Sequence, residues 1–130
     1  MNLVDPSAWL ACFAGELNAE FFAAVIQDTE LLVVPTVCLH GVFKVVLRER
    51  GEDEAFQAVA AKQQGTVVDP TAQLALEAAA IGCEEKLPFA DSIICTVAIA
   101  HGAVVWTQDD DLAGKPNVPF RPKSRKPSPK

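Results

Sequence analysis

The chemistry on offer in this chain lies in a few aspartates at awkward places. Asp5 closes the apolar run "MNLVD", Asp91 opens the apolar stretch "PFADSII", and Asp109, Asp110 and Asp111 follow the run "AVVWTQ". An acid in the first turn of a helix interacts well with the helix dipole, which gives Asp91 a plain structural reading. Asp5 has no such partner in its own sequence. Burying a lone carboxylate is expensive, so Asp5 calls for a cation or for solvent. Carboxylates arriving from separate strand ends and a helix start suit a hard cation such as Mg²⁺ or Mn²⁺, which takes oxygen ligands and keeps several waters. Two such ions about 3.5–4 Å apart can activate water and stabilise the leaving oxygen of a phosphodiester.

These acids need elements to hold them. "NLV", "LLVVP" (31–35), "TVV" (66–68) and "AVVWT" (103–107) read as short buried strands, with "VPF" (118–120) as a further edge strand. Helical segments fill the intervals. Pro6 and Ser7 mark one start, Asn18 is a candidate N-cap, and Asp69-Pro70 signals another start. Gly102 supplies a stop. Alternating strands and helices predict one α/β domain with a mostly parallel central sheet of four or five strands flanked by helices. Ligands collect at the carboxyl ends of such strands, where Asp5 and Asp109 to Asp111 fall.

Composition narrows the class. Half of the 130 residues are hydrophobic and 22% are charged, so the chain is globular. It opens without a leader-like segment, and its apolar runs are too short for a bilayer, so a cytoplasmic protein without membrane attachment is expected. Cys12, Cys38, Cys83 and Cys95 have neither zinc spacing nor an oxidising context and read as free thiols. All 17 acids lie at or before Asp111, and six of the 11 basic residues fall in 115–130. The acidic body argues against nucleic-acid binding by charge alone. The Pro- and Lys-rich tail, 123–130, reads as disordered.

Together, "NLVDPSAWL", "LLVVPTVCLHGVFKVVLRERG" and "LPFADSIICTVAIAHGAVVWTQDDDLAG" resemble the PIN-domain ribonucleases, most closely the VapC-type toxins of bacterial toxin–antitoxin pairs. The resemblance covers residues 1–122, the expected PIN domain. It implies a PIN-like fold, a Mg²⁺-dependent (or Mn²⁺-dependent) endoribonuclease acting on RNA, a homodimer, and neutralisation by a cognate VapB-type antitoxin. It also assigns Asp5, Asp91, Asp109 and Asp111 as catalytic carboxylates, the first three as metal ligands. Ser7 and Thr107 become supporting hydroxyls, against the plainer readings of a helix-start cap and a strand-end turn residue. Asp110 reads as a solvated turn residue.

One family position does not match. The resemblance expects a Glu where this chain has Gly41, inside a helix, where glycine costs on the order of 1 kcal/mol relative to Ala. Asp5, Asp91 and Asp109 would still hold one ion, while a second metal position loses a ligand. His40 points about 100° away from residue 41 and is a poor substitute, expected partly buried. Glu49 reads as a solvated helix-end acid. A helix–helix contact needing a small residue would explain Gly41 without chemistry. A weakened nuclease, a catalytically inactive PIN domain that binds antitoxin or RNA, and a deliberately inactivated toxin all stay open. A phospho-receiver domain is disfavoured, since only one acid follows the first strand and no Lys follows "AVVWT" until Lys115.

Overall fold

The computed structural model describes residues 1–115 and 118–121. Its sheet has four parallel strands, β1 (Asn2–Val4), β2 (Leu32–Pro35), β3 (Thr66–Val68) and β4 (Val104–Trp106), in the order β3-β2-β1-β4. Helices α1 (Pro6–Phe13) and α2 (Ala19–Gln27) connect β1 to β2. Helices α3 (Thr36–Arg50) and α4 (Glu52–Lys62) connect β2 to β3, and α5 (Ala72–Glu85) and α6 (Phe89–His101) connect β3 to β4. The chain therefore moves outward from β1 on one side and returns beside β1 on the other. This places a topological switch between β1 and β4, the crevice where open α/β sheets bind ligands.

Alternation along the strands divides the core in two. Val4, Leu32 and Val34 face one cluster with Trp9, Phe22, Val42 and Ala58. Leu3, Val33 and Val105 face the other, with Ile94, Val97 and Leu112. The register pairs Leu3 with Val33 and Val105, so one layer of side chains runs across the sheet. Among the described residues, no helix is long and apolar enough to cross a membrane.

Local chemistry explains where some boundaries differ from expectation. Thr71, not Asp69, caps α5, accepting from Leu74 N at 3.1 Å, and Pro70 stands before the cap. Asn18 makes no side-chain cap bond to α2 because its amide is used elsewhere. His40 is exposed, not partly buried. The segment 118–120 forms no strand; Phe120 makes an isolated parallel bridge to Thr107. Gly102 ends α6 at φ +59°, a conformation that suits glycine. The tail at 123–130 lies outside the described residues.

Candidate active site and metal centre

Asp5 turns out to have local partners. It is the N-cap of α1, and its Oδ1 accepts from Ala8 N at 3.0 Å and from the Ser7 hydroxyl at 2.7 Å. Its Oδ2 accepts from the Thr107 hydroxyl, which reaches across from the end of β4. The Thr107 Oγ1 also accepts from Asp109 N at 2.9 Å, so one buried hydroxyl aligns the acid after β1 with the acid after β4. Ser7 Oγ accepts from Gln108 N at 3.2 Å. A capped carboxylate in a β1–α1 turn thus needs no cation to be satisfied, which corrects the expectation drawn from its sequence neighbours.

The other acids gather beside it. Asp91, Asp109 and Asp111 each offer a carboxylate oxygen, all within 4.8 Å of one another. They come from the first turn of α6 and from the 3-10 turn after β4, where Asp109 Oδ1 accepts from Asp111 N at 2.9 Å. Asp91 is buried, Asp109 half-buried and Asp111 exposed, so the cluster opens to solvent on one side. Asp110 is exposed, as a solvated turn residue should be.

Crowding shows in the proton affinities. Burial first, then the charge of Asp109 and a hydrogen bond to it, push the Asp91 carboxyl up to about 7. Asp5 and Asp111 add to the push. Burial also raises the Asp5 carboxyl, against the three donors that favour its charged form. An array of hard oxygen donors that repel one another in this way fits a divalent cation such as Mg²⁺ or Mn²⁺. Asp91, Asp109 and Asp111 converge on one point, and Asp5, held by its own donors, stands beside them.

Gly41 lies at the α1–α3 contact. A Cβ built there would sit 2.9 Å from Pro6 Cγ and 3.2 Å from Pro6 Cβ. The glycine and the proline after Asp5 are therefore one packing feature: the Pro6 ring fills space that a side chain at 41 would need. Glu49, further along α3, is exposed and 3.7 Å from Arg48.

Sequence reading missed three residues here. Gln108 and Asn18 form a buried amide pair, with Asn18 Nδ2 donating to Gln108 Oε1 at 2.9 Å and Gln108 Nε2 donating to Ser7 O at 3.3 Å. No local pattern announces a pair 90 residues apart. Lys62 is buried, donates to Val4 O at 3.1 Å and lies 4.2 Å from the Trp9 ring centre. Burial drives its pKa down, opposed by Cys38 and Asp5. Helical spacing was its signal, because 55, 58 and 62 share one face of α4 and Ala55 and Ala58 are core residues.

Comparison with known proteins agrees with this geometry. The family model of the PIN domain matches residues 3–117. The chain belongs to the PIN-domain family. No curated protein matches this PIN domain in sequence. Among solved structures, a toxin–antitoxin complex from Klebsiella pneumoniae superposes with a TM-score of 0.76 at 21% identity, covering 92% of this chain and 97% of that one. VapC20 of Mycobacterium tuberculosis, a toxin that cleaves the sarcin–ricin loop, gives 0.70 at 23% identity over 88% and 95%. DNA-bound VapBC from Salmonella typhimurium gives 0.67 at 15% identity over 95% and 100%. The PIN fold is thus shared with the VapC-type group to which the motifs pointed.

Proposed function

We propose that this PIN domain, spanning 1–122, is a VapC-type endoribonuclease toxin that hydrolyses RNA phosphodiester bonds with Mg²⁺ or Mn²⁺ and is weakened by Gly41. The convergence of Asp91, Asp109 and Asp111 at the β1–β4 switch carries the reading. Those three would hold the ion, Asp111 taking the ligand place that the resemblance gives to Asp5, and the ion when bound supplies Lewis-acid charge and a lowered water pKa. Asp5 contributes a buried carboxylate beside them, fixed in direction by Ser7, Ala8 N and Thr107. Neutralising this acidic cluster lets a polyanion approach it.

The remaining expectations fit the surface. A groove of about 310 Å³ between α1 and α3, lined by Leu10, Phe13, Val45 and Val46, runs up to Ser7 and Gln108 at the site. Its form suits an antitoxin segment laid toward the carboxylates. Leu76, Phe89 and Ile99 are 74%, 77% and 71% exposed on α5 and α6, which supports a homodimer. A cytoplasmic setting follows from the toxin reading.

A second reading has its own observation. With Pro6 seated against Gly41, the site is built without the Glu that the family motif places at 41, as a catalytically inactive PIN domain that binds antitoxin or RNA would be. The test is RNA cleavage with Mg²⁺ and Mn²⁺ by the chain itself, by Pro6→Ala/Gly41→Glu, and by that variant carrying Asp109→Asn. Cleavage by the chain shows that the present carboxylates suffice. Cleavage by the double variant alone, lost with Asp109→Asn, shows a nuclease lacking one ligand. A folded, metal-binding double variant that cuts no RNA in a broad pool favours the binding module.

A further inference from the structure

Arg121 is a cation beside the site whose role the carboxylates do not explain. The segment carrying it is pinned to the end of β4 by two backbone bonds, Thr107 N to Pro119 O at 3.2 Å and Arg121 N to Thr107 O at 2.9 Å. The side chain is not needed for that attachment. It extends over α2, where Nε donates to Asn18 Oδ1 at 3.4 Å and the guanidinium lies 4.9 Å from the Phe21 ring centre. Asn18 is held by Gln108, Gln108 by Ser7, and Ser7 by Asp5. The guanidinium is thus linked to the first carboxylate through Asn18, Gln108 and Ser7, with main-chain groups of Gln108 and Ser7 completing the path.

We infer that Arg121 is a phosphate-binding residue that seats the RNA backbone next to the carboxylate edge. The inference rests on the ribonuclease reading. Arg121 is exposed, and among the described residues its guanidinium pairs with no carboxylate, whereas Arg48, Arg50 and Lys115 each face a glutamate. One nitrogen of the planar fork is engaged by Asn18, and the guanidinium rests by the Phe21 ring. That geometry matches phosphate bidentately and loses little side-chain freedom on binding. A single-stranded backbone laid along the carboxylates presents successive phosphates, so a cation on the segment bonded to Thr107 is placed to take one that is not being cut. In a body carrying 17 acids, such a fixed cation matters more than its single charge suggests.

The experiment is fluorescence anisotropy of a short fluorescein-labelled single-stranded RNA with the full chain carrying Asp109→Asn to prevent cleavage, in Mg²⁺ over a salt series, each Arg121 variant being made in that parent. Arg121→Gln should weaken binding about tenfold, and its plot of log affinity against log salt should be shallower by about 0.7. Arg121→Lys should keep the salt slope while losing part of the affinity. Unchanged affinity and slope in Arg121→Gln overturns the proposal and leaves the ribonuclease reading standing. Equal losses in both variants would mark a strut and overturn it too. If the parent chain binds no RNA, both the proposal and the reading fall.

Discussion

The hydroxyl of Thr107 bonds the Asp5 carboxylate and the Asp109 amide, lies 3.4 Å from the Ser7 hydroxyl, and is fully buried. Thr107→Val keeps the shape and removes both bonds, leaving a buried carboxylate oxygen and an amide unsatisfied. Chemical denaturation should show a loss of about 1–3 kcal/mol, without the cavity that a smaller residue would open. Ser7 shares the burden at Asp5 Oδ1 but is only half-buried, so Ser7→Ala should cost less by the same measurement. Both hydroxyls were picked out from sequence as site residues. The plain alternatives do not hold: the cap is Asp5 itself, and Thr107 bridges to Phe120.

Helix α1 meets α3 where Pro6 meets Gly41, and this contact decides how the missing carboxylate can be tested. Gly41→Glu alone forces the Pro6 ring or the α3 backbone to shift, and overpacking of this kind costs about 1–3 kcal/mol. The gain in helix propensity, about 1 kcal/mol, offsets part of it. A double-mutant cycle with Pro6→Ala should show the two changes to be coupled, the pair being more stable than the sum of the singles. Additive effects would mean that the ring gives way freely. On α4, Lys62 spans from the helix to the end of β1, donating to Val4 O beyond the last β1–β2 pair. Lys62→Met replaces a buried amine by an apolar chain of similar length, removing its desolvation cost at the expense of its bond to Val4 O. Its melting temperature should be unchanged or higher, and a drop of several degrees would show that the ammonium's bond and its Trp9 contact outweigh desolvation.

Across the whole molecule, the sheet order β3-β2-β1-β4 gathers like charges that separate elements supply, and that crowding links stability to pH and metal. Asp91 binds its proton up to about 7 in the folded chain, against about 4 for an unfolded aspartate. Between those values the folded state holds the extra proton, so stability without metal falls as pH rises. It is fully present below the unfolded value and lost as pH rises through the folded one. Thermal melts in a chelator should therefore show a lower midpoint at about pH 8 than at about pH 5. Saturating Mn²⁺ should raise the midpoint, and raise it more at the higher pH, because binding needs deprotonated carboxylates. A metal response independent of pH would place the ion away from Asp91.

Strands, helices and the acids at their ends were legible in the sequence because they are local. Apolar runs of strand length ended in acid, and helix starts carried their own signals. The family motifs extended this to Gly41 as the position lacking a carboxylate. Distance in sequence hid the rest. That Asp5 is satisfied by a threonine 102 residues later, that Asn18 pairs with Gln108, and that a buried lysine holds the last carbonyl of β1 depend on which strands are neighbours. Gly41 shows the division most clearly. Helix propensity marked it as costly, but only the approach of α1 to α3 showed the ring of Pro6 occupying the place of its absent side chain.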